Sequence, residues 1–293
     1  MKGGVFTSRT STILTAVCGI SLLAGFILAV FQDRIEPTSS HGADSFSRSA
    51  IGHRGFRLLL EEMGIPAIAS RHDSAMKAGF KGILVVAEPD LTTHRGQRVE
   101  LFRKMPLKAY TMLVVLPKRR GYPHPVKPSW LGYVEPVARE NTDLILETMG
   151  LDARLVMGGD PETLVWGEGG VNLSPDVEQL QLLASDDLEP VIAGDKGMLL
   201  GYLYDRDENN PFSFVDIYVL SDPDLLANHG LGRGSNAALA VEIIEYVQEM
   251  PGLVVIDETL HGHHASVSSF GSFFRFPLVF VTLQIGMLTL VLL

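Results

Sequence analysis

Phe214–Asp222 (FVDIYVLSD), Asn236–Met250 (NAALAVEIIEYVQEM) and Gly252–Glu258 (GLVVIDE), followed by Thr259–His264 (TLHGHH), decide the fold of this chain. An apolar run, a helix-period segment and a second apolar run make a βαβ unit, which implies a parallel sheet covered by helices. Both strands end in carboxylates: Asp222 and Asp224 after the first, Asp257 and Glu258 after the second. In an open α/β sheet, ligands sit outside the carboxyl ends of the strands. A site is expected at this edge.

Working outward, Ile83–Ala87 (ILVVA) and Met112–Leu116 (MLVVL) flank a polar, helix-compatible segment, Gly96–Lys104, and repeat the same pattern. Ser49–Met63 has apolar residues at helical spacing and is stopped by Gly64, while Ile65–Ser70 reads as a short edge strand. Val137–Met149 is a further expected helix. From Leu155 to Asp205 the pattern changes to short strands and turns, with a hairpin around Asp195-Lys196-Gly197. This is expected as an antiparallel extension of the parallel sheet. Residues 117–136, rich in proline, read as one long loop.

Two apolar runs bracket these elements. Thr12–Phe31 is charge-free and about 20 residues long, enough to cross a bilayer's hydrocarbon core. Phe276–Leu293, about 18 residues, is the second and runs to the last residue of the chain. Lys2 and Arg9 precede the first run and Asp33 follows it, which puts the N-terminus inside. The run is too long for a signal-peptide core and lacks a small-x-small cleavage site, so an uncleaved anchor is expected. The implied division is a cytoplasmic start at 1–11, a transmembrane helix at 12–31 and a linker at 32–48. An extracytoplasmic α/β domain at 49–264, a linker at 265–275 and a second transmembrane helix at 276–293 complete it. The expected location is a bacterial inner membrane, with the domain in the periplasm or outside.

The 293 residues carry a formal net charge of −10, and no basic stripe offers itself to nucleic acid. Lys118, Arg119 and Arg120 form a small basic cluster that reads as a solvated loop. Cys18 is the one cysteine and lies within the first apolar run. The α/β domain therefore has no disulfide, thiol nucleophile or cysteine metal ligand.

The loop from Gly230 to Gly234, ahead of Ser235 and Asn236, sits where a helix starts and could present N–H groups to an anion. It lacks both the P-loop ending and the dinucleotide spacing, and the plainer reading is a turn with a cap. Asp257, Glu258, His261, His263 and His264 are the densest set of potential metal ligands. Glu258 and His261 would share a helix face, but Gly262 interrupts a helix there. Glu258, His261 and His263 are the candidate metal residues. A polar loop is the alternative. Ser221 at a strand end is the serine of interest; no Gly-x-Ser-x-Gly elbow exists.

The order GHRGFRLLLEEMGIP, VVAEPD, GMLLGYLYD, YVLSDPDLLANHGL, SNAALAVEIIEYV and VVIDETLHGHH between two apolar runs resembles the bacterial membrane-anchored family called domain of unknown function 4350. The resemblance covers about residues 10–293. It implies an α/β fold of the flavodoxin-like, class I glutamine amidotransferase type, a mostly parallel sheet with an antiparallel extension and two flanking transmembrane helices. Amidotransferases use a cysteine nucleophile, and none is present in the domain, so the resemblance implies a non-enzymatic protein without a cofactor. It also implies partners: a MoxR-type AAA ATPase, a von Willebrand-like domain protein and a transglutaminase-like membrane protein. The expected function is a membrane-anchored scaffold that binds a partner or small ligand through Ser221, Asp222, Asn228, Asn236, Asp257 and Glu258. The competing expectation is a metal-assisted hydrolase using Asp257, Glu258, His261 and His263.

Overall fold

A strand covered on both faces is apolar nearly throughout, and three strands of this chain are, with Thr111 and Asp257 at strand ends as the exceptions. In the computed structural model, Ile83–Ala87, Thr111–Val115 and Val254–Asp257 are buried almost throughout. The structure describes residues 19–21, 40–128, 130–158, 163–167, 171–203, 211–248 and 250–263, without the side chains at 213 and 214. The chain divides into two units, Ser39–His264 and Met1–Thr38 with Ala265–Leu293. Of the second unit only 19–21, which is helical, is described. The first unit contains every strand among the described residues.

Its elements begin with α1 (Arg54–Glu62), β1 (Ala67–Ser70), α2 (Ser74–Ala78), β2 (Ile83–Ala87), α3 (Arg95–Lys104) and β3 (Thr111–Val115). Then come β4 (Arg119–Pro123), β5 (Leu131–Pro136), α4 (Arg139–Met149), β6 (Ala153–Met157), β7 (Leu164–Trp166) and β8 (Val171–Leu173). The last are β9 (Gln181–Ser185), β10 (Leu188–Ala193), β11 (Met198–Leu203), β12 (Asp216–Leu220), α5 (Asn228–Leu231), α6 (Asn236–Val247) and β13 (Val254–Asp257).

Eleven strands form one sheet whose main path is β1-β13-β2-β3-β12-β11-β10-β7-β8, with β9 pairing β11 and β6. The pairs from β1 to β12 are parallel. All pairs beyond β12 are antiparallel. Side chains of a strand alternate between faces, so Ile83, Val85 and Ala87 join the core beneath α1 and α6. Leu84 and Val86 join the opposite core, with Phe102 of α3 and Ile145 of α4. Helices thus cover both faces of the parallel part.

Three expectations are corrected. The sheet is mixed rather than mostly parallel, because connections such as residues 194–197 between β10 and β11 are far too short for a crossover and force antiparallel pairing. Among the described residues no helix is long and apolar enough to cross a membrane, which corrects the expectation of two flanking transmembrane helices. The runs 12–31 and 276–293 behind that expectation lie outside the described residues apart from 19–21, as do 1–11 and 265–275. The long loop at 117–136 contains the hairpin β4–β5, where Tyr122 and Tyr133 stack with ring centroids 4.5 Å apart. A two-stranded sheet of its own tolerates Pro123 and Pro136 at strand ends.

The polar segment before α1 also differs from a linker. Asp44, Ser45 and Ser47 are buried, and the segment packs across the carboxyl edge of the sheet. It is tied there by Ser45 N–H to Glu258 Oε1 at 2.7 Å and by His53 N–H to the Asp44 carbonyl at 2.9 Å.

Candidate functional site

The carboxyl ends of β3 and β12 place Lys118 and Asp222 side by side. The Lys118 ammonium lies 2.7 Å from both Asp222 Oδ2 and Asp224 Oδ2 and donates to the Glu178 carbonyl at 3.1 Å. Arg119 also pairs with Asp224. His229 Nε2 lies 3.4 Å from Asp224 Oδ1, and its other ring nitrogen contacts the Ala50 carbonyl at 2.9 Å. Asp222 further accepts from Gln181 N–H at 2.7 Å and Asp224 N–H at 2.9 Å. Burial pushes the Asp222 carboxyl up to about 6 against the pull of Lys118, with the Asp224 charge adding to the rise. Asp224 is also penalised by burial, but His229, Arg119 and Lys118 outweigh it and hold this carboxyl far below the usual range.

The sign of the resulting pH dependence follows from linkage. An acid raised above its unfolded value stabilises the fold at low pH, and that contribution disappears as pH rises through its folded value. Asp222 therefore favours folding below about 4 and loses this contribution on the way to about 6. The stability gap between wild type and Asp222→Asn should narrow between pH 4 and 7 in thermal melts. A gap that widens over that range would mean the carboxyl is not raised.

Beside this cluster, at the ends of β2 and β13, lies a second one. Glu88 follows β2 with a left-handed backbone, φ 45°, unusual for a residue with a side chain. Its carboxylate reaches His53 Nε2 at 2.9 Å and accepts Lys118 N–H at 3.2 Å, so it bridges the two clusters. His53 is 1% exposed and its Nδ1 has no partner among the described residues. Fully buried Glu258 holds Ser45 N–H with one oxygen and His261 Nδ1, at 3.0 Å, with the other. Burial disfavours the charged imidazole of His261, yet Glu258, Asp44 and Asp257 push it up to about 9. Asp44 is likewise disfavoured by burial, but His263 and Ser40 bring it down to about 2.

The six expected binding residues do not share one surface. Ser221 is fully buried and its hydroxyl donates to backbone carbonyls, that of Gln181 at 2.7 Å among them, so it is a sheet-edge tie. Asp222 is inside the Lys118 cluster. Asn228 donates to the carbonyls of Ser47 and Ser49 and accepts Gly55 N–H at 2.6 Å, clamping the segment before α1. Asn236 bridges Asp176 and Gly230 rather than binding an anion. The glycine loop ahead of it is a close approach: a Cβ on Gly230 would lie 1.7 Å from the Asp224 carbonyl oxygen. Asp257 turns inward to Ser74, Thr259 and Leu260 N–H, and burial raises its carboxyl. Of the expected hydrolytic set, Glu258 meets His261 and lies with His263 beside Asp44, whereas Asp257 turns away to Ser74, so the four are brought together only in part.

Asp44, Glu88, His53, Lys118 and Gln181 belong to these clusters and are not singled out by sequence pattern. Lys118 reads in sequence as solvated together with Arg120, yet its side chain is 9% exposed against 40% for Arg120. Alternation gives no signal here, since residues two apart share a face of a strand and Lys118 precedes β4.

Between the Lys118 edge, the end of β5 and the start of α4 lies a cavity of about 590 Å³. Its wall includes Lys118, Arg119 and Arg139 together with apolar Ile51, Leu155 and Met157. Arg139 opens α4, whose N-cap Ala138 makes no side-chain cap; Asn141 N–H donates to the Ala138 carbonyl, which leaves the N–H groups of Arg139 and Glu140 to face a ligand. Arg139 is exposed and has no ion-pair partner among the described residues.

No family model matches the chain, and no curated protein matches it. Among solved structures the chain is similar to the "mmIFT52 N-terminal domain", at 10% identity and a TM-score of 0.32, over 65% of this chain and 80% of that chain. A likeness at that level carries no argument about function.

Proposed function

We propose that this domain is a non-enzymatic binding module whose cavity takes a small ligand with an apolar body and an anionic group. The observation that supports this reading is the cavity itself. Its volume, about 590 Å³, falls in the range of small-molecule sites, roughly 300–1,000 Å³. Arg139 and the uncapped first turn of α4 would take the anion, and Ile51, Leu155 and Met157 the body. Binding is favoured over catalysis because His229 has both ring nitrogens engaged and the Ser221 hydroxyl is committed to carbonyls. An assembly role of the kind implied by the family resemblance is compatible with such a module.

A thermal-shift screen of small carboxylates and organic phosphates tests it. A hit should bind Arg139→Ala about tenfold or more weakly, since one charge-assisted hydrogen bond contributes roughly 1.5–3 kcal/mol. Arg154→Ala, which leaves the cavity wall itself unchanged, should bind the hit as wild type does. Equal affinity of wild type and Arg139→Ala would count against the anion position.

A further inference from the structure

We propose that Asp44, Glu258 and His263 form a divalent-cation site, separate from the cavity, that fastens the segment before α1 to the end of β13. Each residue offers one ligand atom, and these atoms lie within 4.8 Å of one another. Two carboxylate oxygens and one imidazole nitrogen make the three-protein-ligand set of an open zinc site, which leaves a fourth position for water.

The local geometry favours a cation over a plain hydrogen-bonded cluster. His263 Nε2 and Asp44 Oδ2 are 3.5 Å apart. That exceeds a good N–H···O bond of about 2.9 Å, and it matches the roughly 3.4 Å edge between two ligands on a tetrahedral zinc. The left-handed Gly262, φ 86°, turns the chain after Thr259 and carries His263 back toward Asp44. The glycine that makes a helix untenable is what completes the ligand set. Phe46 meets the His263 ring edge to face, with centroids 5.4 Å apart, and limits its rotation.

Two further observations point inward. Ser45 is fully buried beside Asp44, with its N–H on Glu258 Oε1, yet its hydroxyl has no hydrogen-bond partner among the described residues. A buried hydroxyl normally finds one, and a cation-bound water in the fourth position would supply it. Glu258 already accepts Ser45 N–H and His261 Nδ1, contacts that fix its orientation and leave lone pairs for a metal. The His263 side chain is 22% exposed, which gives an ion a route from solvent.

Isothermal titration of the purified full chain with zinc chloride, repeated with manganese chloride, tests the site. One equivalent of zinc should bind saturably. His263→Ala, which alters a partly exposed side chain and should fold normally by circular dichroism, should weaken zinc binding at least tenfold, the low end for losing even an outer partner of a metal. Asp44→Asn should do the same, whereas His124→Ala, in the β4–β5 hairpin, should leave binding unchanged. Zinc heats that do not saturate, undiminished binding by His263→Ala, or equal weakening by His124→Ala would overturn the proposal, the last by revealing adventitious histidine coordination. A loss of cavity ligands with zinc binding intact would remove the small-ligand reading alone.

Discussion

Lys118→Met should destabilise the α/β domain by about 3–5 kcal/mol, the usual cost of removing one partner from a buried ion pair. The ammonium satisfies two carboxylates at once, at 2.7 Å each, and Asp222 has no exposed surface through which water could replace it. Repulsion between Asp222 and Asp224 then has only Arg119 and His229 to oppose it, and both of these face Asp224. Arg120→Met, two residues away on the exposed side of β4, is the natural contrast. Its pairing with Asp90 at 3.6 Å is half in water and should change stability by less than about 0.5 kcal/mol. Urea denaturation of both variants at neutral pH measures the difference. Equal effects would mean that the cluster at the ends of β3 and β12 is solvated, contrary to the burial of Lys118 and Asp222.

Asn228→Ala should cost about 2–4 kcal/mol and, more tellingly, should loosen one segment. Its amide donates to the carbonyls of Ser47 and Ser49 and accepts the N–H of Gly55; among the described residues no other side chain holds those groups, and only the Ser49 carbonyl has a further partner, Gly52 N–H. Each unsatisfied group left behind costs roughly 1–3 kcal/mol when buried. Because Asn228 is the clamp from α5 onto residues 47–55, hydrogen exchange should speed up first at Ser45 and Gly52, whose N–H groups are otherwise bonded to Glu258 and Ser49. Protection at Val85 and Val114 in the parallel core should be retained. A uniform loss across the sheet would instead mean that Asn228 supports the global fold and not the strap in particular.

The parallel core is legible because its strands are buried on both faces. ILVVA, MLVVL and VVID have no polar position before their ends, and such short, β-branched-rich runs between turn signals fit a central strand. The site is legible only as an edge. Asp257 and Glu258 look equivalent in sequence, yet successive residues at a strand end project oppositely, so one turns to Ser74 and the other to Ser45. Asp44 is invisible because a Ser-rich polar stretch has no periodicity of its own. Its order comes from contacts with residues more than 200 positions away, such as Glu258. The antiparallel half is underestimated for a related reason. Its strands are only three to six residues long, from Leu164–Trp166 to Met198–Leu203, and pairing across tight turns rather than apolar runs defines them.

The most direct test of the binding account is a chemical-shift map of the strongest hit from the ligand screen, titrated into isotope-labelled protein. The account predicts saturable shifts at Lys118, Arg119, Val137, Arg139, Leu155, Met157 and Gln181 around the cavity. Shifts confined to β1, β8 or other surfaces away from that wall, or no saturable shift with any hit, would contradict it.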